Sequence, residues 1–277
     1  MRKPNLFLVG APKAGSTLLW TILKEHKDIF FSENPEKEIN YFSYDELVDS
    51  SYYKDYKINT ENDYLKAFKS AQSVKYLADG SVSYFSYPSI PKKIYEFNSD
   101  AKIIIIVRDP FIRAFSHYSM DRRMGYATKP FSEYLINKDN QHAKFIHQYI
   151  QNSLYFKNTT NYLKYFTEDQ VCILQLEKIN SDFQKIYKFL DIEKLNMNVN
   201  YKKVNANKEP INIISKTLQH NRFLATTLKK FIPKKIIDWF NFLLYKEAQK
   251  VTLMKSDLNL LEDYINEDYT QFKKHIL

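Results

Sequence analysis

Residues 7–17 read FLVGAPKAGST, and this stretch decides the fold of the chain. An apolar run ends at Gly10, a short turn reaches a second glycine at Gly15, and Ser16 and Thr17 open a helical pattern. The chain has only 4 glycines in 277 residues, and two of them lie here. Because a strand, a tight turn and a helix N-terminus point backbone N–H groups at one place, the stretch predicts a phosphate-binding loop rather than an ordinary strand–helix turn.

This loop departs from the Walker A pattern GxxxxGK[ST] at one position. Ser16 follows Gly15 where a Walker loop has lysine, and the lysine of this loop is Lys13, inside the turn. The Walker lysine reaches the β- and γ-phosphates. Its displacement predicts a nucleotide whose reactive group is not a Mg-bound γ-phosphate. A small-molecule P-loop kinase is the alternative enzyme, but no Walker B aspartate is evident, since Asp109 precedes Pro110 and is explained as a helix cap.

The clearest strand of the chain leads into a second segment of interest. Lys102–Arg108 reads KIIIIVR and has no polar face, which predicts a central parallel strand buried on both sides. RDPFIRAFSHY follows over residues 108–118. Arg108 stands at the carboxyl end of the strand, where ligands bind in open α/β sheets, and Ser116 lies two turns into the next helix. The pair predicts a second phosphate contact; the alternative is that Arg108 pairs with a carboxylate and Ser116 bonds within its helix.

Apolar strands alternate with amphipathic helices along the chain, which predicts one α/β domain over residues 1–277. We expect a P-loop-like, mostly parallel central sheet flanked by helices, with a mainly helical part after Asn212. The predicted strands are Asn5–Gly10, Tyr76–Asp79, Lys102–Arg108 and Val171–Leu176. The predicted helices are Ser16–Lys27, Ser89–Asn98, Pro110–Met124, Asn158–Phe166 and Ser181–Leu190.

Composition narrows the partners only partly. The net charge of +9 favours anionic partners, which leaves open a non-catalytic anion or nucleic-acid binder. The basic residues are scattered, however, so we expect no nucleic-acid partner. One cysteine, Cys172, allows no disulfide within the chain. No signal peptide and no apolar run long enough for a membrane span are evident, so the sequence predicts a cytoplasmic protein.

Taken together, GAPKAGST and RDPFIRAFSHY closely resemble the two cofactor motifs of the sulfotransferases that use 3′-phosphoadenosine 5′-phosphosulfate (PAPS). In that family the first motif holds the 5′-phosphosulfate and the second holds the 3′-phosphate. The resemblance implies PAPS as co-substrate, 3′,5′-ADP as product and no metal. VNANKEP, from Val204, stands where the family has a loop that closes over the 3′-phosphate. The implied cofactor contacts are Pro12, Lys13, Ala14, Gly15, Ser16, Thr17, Arg108, Ser116, Asn205 and Lys208.

The resemblance also implies the catalytic groups. KEINYFSY, from Lys37, looks like the segment that carries the catalytic glutamate in the glycan branch, so Glu38 is the expected base. Lys13 is expected to stabilise charge on the departing phosphate. DGSVSYF, from Asp79, resembles the strand end before the second motif, although it lacks the lysine that glycan enzymes often have near Gly80 and Ser81. His117 is a competing base, since the cytosolic branch uses histidine.

The resemblance therefore implies a bacterial-type enzyme that transfers a sulfuryl group to a hydroxyl of a carbohydrate or glycolipid. A capsular or lipopolysaccharide unit is an example of such an acceptor. A non-carbohydrate small molecule is the alternative acceptor. Glu177 ends a strand and is expected to form a salt bridge, with orientation of the cofactor side as the alternative. Four aromatic residues near the predicted site are candidates either for stacking on a sugar or for the core: Tyr41, Phe42, Tyr84 and Phe85.

Two further patterns have an ordinary explanation as well as a functional one. His142 and His147 are five residues apart, poor spacing for a shared metal on a helix, so we expect no metal site. KKFIPKK, at residues 229–235, precedes apolar residues at helical spacing up to residue 244. We expect this segment to form a helix that packs on its own domain; the alternative is a helix that contacts a membrane surface.

Overall fold

A computed structural model describes residues 1–32, 37–48, 58–71, 73–136, 143–194 and 253–277, together with the backbone of two short strands at 208–210 and 245–247. Five parallel strands form the central sheet in the order β2-β3-β1-β4-β5. They are β1 (Leu6–Gly10), β2 (Ile29–Phe31), β3 (Tyr76–Asp79), β4 (Lys102–Val107) and β5 (Val171–Gln175). The strands β6 (Lys208–Pro210) and β7 (Tyr245–Glu247) form a separate antiparallel pair. The predicted α/β class with a central parallel sheet flanked by helices is confirmed.

The described residues form ten α-helices. They are α1 (Ser16–Leu23), α2 (Tyr44–Leu47), α3 (Glu61–Lys66), α4 (Ile90–Phe97), α5 (Pro110–Met124), α6 (Phe131–Ile136), α7 (Ala143–Tyr149), α8 (Tyr155–Leu163), α9 (Ile179–Leu190) and α10 (Lys255–His275). A 3₁₀ turn at Val82–Phe85 follows β3.

The isoleucine run of β4 explains why helices cover both faces of the sheet. Ile103 and Ile105 point to one face, where α4, α8 and α10 contribute large apolar side chains. Ile104 and Ile106 point to the other, which α1 and α9 cover. All four isoleucines are fully buried. A strand with no polar side is stable only between two apolar layers, so this pattern places β4 in the interior of the sheet, between β1 and β5.

Several predicted boundaries are wrong. Helix α1 ends at Leu23 rather than Lys27, because the N–H groups of Glu25 and His26 bond to carbonyls three residues back and tighten the last turn. Helix α8 begins three residues earlier than predicted, because Asp268 of α10 accepts from the N–H groups of Phe156 and Lys157 and caps it from a distance.

The sequence also missed strand β2, whose three residues are too few to show a pattern. In the part predicted to be mainly helical after Asn212, the structure describes a strand, β7, as well as α10. The segment at 229–244 lies outside the described residues.

Candidate functional site

The loops that follow β1, β3, β4 and β5 all lie at the carboxyl edge of the parallel sheet. The phosphate-binding loop, residues 10–17, follows β1, and Arg108 follows β4. The base loop, residues 37–43, packs on the turn after β3, where the N–H of Gly80 donates to the carbonyl of Lys37 at 3.2 Å. The predicted cofactor and base segments are thus brought to one edge, as expected for ligands of open α/β sheets.

The two glycines of the phosphate-binding loop are required by their surroundings. Gly15 has φ of 97° and is the N-cap of α1. A Cβ there would lie 2.6 Å from Leu176 Cδ1, and a Cβ on Gly10 would lie 2.7 Å from Phe85 Cβ. The first N–H groups of a helix have no partner within it, and the first turn of α1 carries no acidic residue, so this helix N-terminus is suited to an anion.

Positive charge gathers around Lys13. Its Nζ lies 3.4 Å from Met120 Sδ under helix α5. Burial, together with the positive charges of Arg123, Arg113 and Arg108, lowers the pKa of the Lys13 ammonium to about 8, and Asp121 opposes this shift. Burial and like charges both disfavour a buried ammonium, and a bound anion would relieve that cost. The electrostatics of this loop therefore suit a phosphate-containing ligand.

Arg108 bridges the two cofactor segments. Its Nη1 donates to the carbonyl of Lys13 at 3.3 Å, while its Nε is buried without a hydrogen-bond partner in the described residues. Ser116 lies half-buried on α5. Glu177 Oε1 accepts from the N–H of Asp109 at 3.1 Å, and Asp109 in turn accepts from the N–H of Ile112 as the cap of α5. Among the described residues Glu177 has no salt-bridge partner, and its hydrogen bond instead holds the turn after Arg108.

Glu38 lies beside a residue that sequence reasoning missed. Lys37 Nζ is 3.1 Å from Glu38 Oε1 and 3.3 Å from both Ser16 Oγ and Thr17 Oγ1. The side chains of Lys37 and Glu38 are 15% and 34% exposed. The expected base therefore contacts the phosphate-binding loop through one ammonium group. In the sequence, Lys37 is one of several charged residues in PEKE, and only its place directly before Glu38 distinguished it.

A buried polar cluster supports the base loop from below. Asp79, at the end of β3, accepts from the N–H and Oγ of Ser81 and from the hydroxyls of Tyr64 and Tyr84. Burial raises the pKa of the Asp79 carboxyl to about 6, although these hydrogen bonds oppose the shift. Ser81 Oγ also accepts from the N–H of Asn40 at 2.8 Å, so the cluster reaches the base loop.

Asn40 connects this buried cluster to the backbone of Glu38. It has φ of 57°, a conformation that asparagine tolerates better than most residues. Its Nδ2 donates to the carbonyl of Glu38 at 3.0 Å, and its Oδ1 accepts from Ser83 Oγ at 2.6 Å. Asp79 and Asn40 are positioning residues for the backbone at Glu38; both lie in segments that carry the family resemblance, which gave neither residue a role.

A small cleft opens beside Pro12 of the phosphate-binding loop. The rings of Tyr87 and His147 stack on one wall, with centroids 4.5 Å apart. Burial, aided by Arg113, lowers the pKa of His147 to about 4, so this imidazole is neutral near pH 7. Asn152 Oδ1 is buried there without a partner in the described residues. The cleft is lined by Pro12, Leu47, Ser83, Ser86, Tyr87, His147, Gln148 and Asn152.

Three of the four aromatic candidates belong to the core. Phe42, Tyr84 and Phe85 are buried, and Tyr84 uses its hydroxyl on Asp79. They are therefore not available to stack on a sugar; Tyr41 is half-buried. His117 is 1% exposed, and burial lowers the pKa of its imidazole well below the usual value. A side chain so enclosed does not reach an acceptor, which disfavours it as the base.

The other predicted cofactor contacts are Lys208 and Asn205. Lys208 stands in β6, whose backbone lies near α5, and Asn205 lies outside the described residues. No group of three or more His, Cys, Asp or Glu side chains that would hold a metal is found in the part of the chain that is described. None of the described helices is both long and apolar enough to cross a bilayer.

Comparison with known proteins bears on this site directly. The family model of the sulfotransferase domain matches residues 3–271. Heparan sulfate glucosamine 3-O-sulfotransferase 5 of Mus musculus is 25% identical over 197 residues, which cover 68% of this chain and 54% of that protein. Luciferin sulfotransferase of Photinus pyralis is 25% identical over 223 residues, which cover 76% of this chain and 54% of that protein.

A solved structure agrees with the fold. The sulfotransferase from Alicyclobacillus acidocaldarius superimposes with a TM-score of 0.62 at 27% identity, covering 72% of this chain and 88% of that one. The chain spans about half the length of the curated relatives named above. Since the family model matches nearly all of its residues, the chain belongs to the sulfotransferase family.

Proposed function

We propose that this chain transfers a sulfuryl group from PAPS to a hydroxyl of a carbohydrate acceptor. One observation carries the proposal: a buried cationic phosphate-binding loop and a partly exposed carboxylate, Glu38, are joined through Lys37 at one edge of the sheet. An anion-binding loop beside a base is the arrangement that transfer from an anionic donor to a hydroxyl requires. The family match favours this over a small-molecule kinase.

The residues at this edge fit PAPS. The N-terminus of α1, the hydroxyls of Ser16 and Thr17 and the ammonium of Lys13 would hold the 5′-phosphosulfate. Arg108, whose buried Nε lacks a partner among the described residues, and Ser116 would hold the 3′-phosphate. Pro12, Ala14 and Gly15 supply the backbone of the loop. When bound, PAPS supplies an activated sulfuryl group with 3′,5′-ADP as its leaving group.

The chain's own groups then have distinct roles. Glu38 accepts the proton of the acceptor hydroxyl, which increases the nucleophilicity of that oxygen. Lys13 stabilises negative charge on the phosphate side, where a preorganised cation has its largest effect. Glu177 and Asp109 hold the turn after Arg108, and Asn40 and Asp79 hold the backbone at Glu38. Proton acceptance and charge stabilisation are thus assigned to opposite sides of the loop.

Two classes of acceptor are supported by different relatives. The heparan sulfate relative favours a carbohydrate or glycolipid as the acceptor. The luciferin sulfotransferase relative favours a non-carbohydrate small molecule as the second candidate. The cytoplasmic location, the absence of a nucleic-acid partner and the membrane contact near 229–244 stay predictions.

The proposal is tested by ligand-dependent thermal stability followed by sulfur transfer. We expect 3′,5′-ADP to raise the unfolding temperature, whereas ATP–Mg and an RNA oligomer should not. Radiolabelled PAPS should then label N-sulfated glucosamine oligosaccharides more than p-nitrophenol. Stabilisation by ATP–Mg but not by 3′,5′-ADP would contradict the sulfotransferase proposal. Labelling of p-nitrophenol alone would replace the carbohydrate acceptor by the small-molecule one.

A further inference from the structure

Lys37 lies between the phosphate-binding loop and the proposed base. Its Nζ is 3.3 Å from Ser16 Oγ and from Thr17 Oγ1 on one side and 3.1 Å from Glu38 Oε1 on the other. With its side chain 15% exposed, it is not a solvated surface lysine. One ammonium group therefore touches both the hydroxyls that would hold the donor and the carboxylate that would activate the acceptor.

The position of Lys37 is built by the turn after β3. The carbonyl of Lys37 accepts from the N–H of Gly80, and the stem of Lys37 passes directly over that glycine. A Cβ on Gly80 would lie 3.2 Å from Lys37 Cγ and 3.2 Å from the Lys37 carbonyl oxygen, with Trp20 Cδ1 at 3.5 Å. Gly80 thus leaves the space in which the lysine stem lies, and the ammonium group is held in place before any ligand binds.

We propose that Lys37 is a second catalytic cation, which binds the oxygens of the sulfuryl group as that group passes from the loop to the acceptor. The inference rests on the proposed function. The path of the sulfuryl group begins at Ser16 and Thr17 and ends at the oxygen that Glu38 deprotonates, and Lys37 contacts all three residues. The three N–H donors of this ammonium are directed at Ser16, Thr17 and Glu38, so a sulfuryl oxygen would replace a hydroxyl as acceptor while the contact with Glu38 is kept.

The two lysines of the site act at different places. Lys13 lies under α5 beside Met120, on the phosphate side, whereas Lys37 approaches the loop from the base loop. In the transfer, Glu38 takes the acceptor proton and the acceptor oxygen bonds to sulfur. The bond from sulfur to the 5′-phosphate oxygen breaks, and its electron pair stays on that oxygen. Lys37 gives up no proton and supplies only fixed positive charge.

The test compares Lys37→Met, which keeps the stem and removes the charge, with Lys37→Arg, which keeps a charge. Lys92→Met, on the exposed face of α4 where Lys92 pairs with Glu96, is the matched control. The affinity for 3′,5′-ADP is measured by calorimetry, and kcat by PAPS hydrolysis with water as acceptor and by transfer to N-sulfated glucosamine oligosaccharides. Unfolding temperatures verify that each variant folds, and Lys37→Gln replaces the Met variant if that one does not.

We expect Lys37→Met to lower kcat by about 10²–10³-fold, because one preorganised donor is lost. Its Kd for 3′,5′-ADP should change by less than about threefold, since this product has no sulfuryl group for Lys37 to bind. Lys37→Arg should be at least about tenfold more active than Lys37→Met, and Lys92→Met should match the wild type.

The outcomes separate this inference from the proposed function. Wild-type protein that binds neither 3′,5′-ADP nor PAPS would remove the proposed function itself. Active wild type with an equally active Lys37→Met variant would overturn only the role of Lys37. Equal losses of kcat and of 3′,5′-ADP affinity would make Lys37 a cofactor-binding group and overturn the inference as well.

Discussion

The phosphate-binding loop and the base loop lie at the same edge of the sheet, but different interactions hold them. The phosphate-binding loop takes its shape from its own sequence: Gly10 and Gly15 adopt backbone conformations that other residues avoid, and α1 starts directly after them. The base loop is held by partners far along the chain. Asn40 forms hydrogen bonds with Ser81 and Ser83, more than forty residues away, and Ser81 in turn donates to Asp79.

Because different interactions hold the two loops, substitutions in the phosphate-binding loop and in the base loop should have different effects. The phosphate-binding loop contains buried positive charge, seen in the lowered pKa of Lys13, so a bound anion stabilises it. The base loop is linked through Ser81 to the buried carboxyl of Asp79, which accepts hydrogen bonds from hydroxyl and N–H donors within the protein. Substitutions in the first part should therefore alter ligand affinity, and substitutions in the second should alter catalysis or stability with affinity preserved.

The largest effect is expected for Glu38→Gln in the base loop. The amide cannot accept the acceptor proton, so kcat should fall by roughly 10²–10⁴-fold. The affinity for 3′,5′-ADP should stay at the wild-type value, because Glu38 contacts the loop only through Lys37. Calorimetry and radiolabel transfer measure the two quantities, with Glu96→Gln on α4 as the control. Full activity in Glu38→Gln would show that another group is the base.

The second largest effect is expected for Asp79→Asn, which should change how the free energy of unfolding depends on pH. In the folded chain Asp79 keeps its proton up to about pH 6, whereas the ordinary carboxyl of the unfolded chain keeps it only to 3.8. Its protonation therefore stabilises the folded state fully below pH 3.8, and this contribution, about 3 kcal/mol, is lost as the pH rises through 6. In the Asp79→Asn variant, the free energy of unfolding should not show this decrease between pH 3.8 and about pH 6.

Urea unfolding of the wild type and of Asp79→Asn between pH 4 and pH 7 tests this expectation. Asp100→Asn, at an exposed position before β4, is the control that removes a carboxylate without touching the cluster. Because other groups titrate equally in both proteins, only the difference between the two curves matters. Parallel curves would mean that Asp79 is ionised in the folded protein throughout this range.

The smallest effect is a selective loss of affinity in Arg108→Ala. Hydrogen bonds to charged groups contribute about 1.5–3 kcal/mol, so affinity for 3′,5′-ADP should fall by roughly 10–100-fold. Affinity for 5′-AMP, which lacks the 3′-phosphate, should change little. Arg122→Ala, at the exposed end of α5, is the matched control. Equal losses for both nucleotides would assign Arg108 to the 5′ side, near its contact with Lys13.

Local patterns predicted where the phosphate-binding loop and Arg108 lie in the fold. The glycine turn after an apolar strand and the arginine at the end of KIIIIV each follow from a short range of residues, and the structure brings both to one edge. The cap by Asp109 was equally local. The role of each residue toward PAPS stays a prediction, but its place in the fold did not need distant information.

Other parts required contacts between distant residues. The start of α8 depends on Asp268 of α10, and no local signal shows it. Tyr84 and Phe85 lie near the site in sequence, yet their side chains point into the core, since the 3₁₀ turn after β3 lies against β1. The positioning of Glu38 depends on residues of two different loops, which the sequence separates by about forty positions.

By itself, the sequence determined that this is a parallel α/β protein with a glycine turn between its first strand and the following helix. Strand and turn patterns are local, and an apolar run such as KIIIIV has only one environment in which it is stable. Only the tertiary structure decided which charged residue reaches the loop. Lys37 contacts Ser16, Thr17 and Glu38 because Gly80 leaves room for its stem, and no pattern along the chain encodes a contact between the ends of two separate strands.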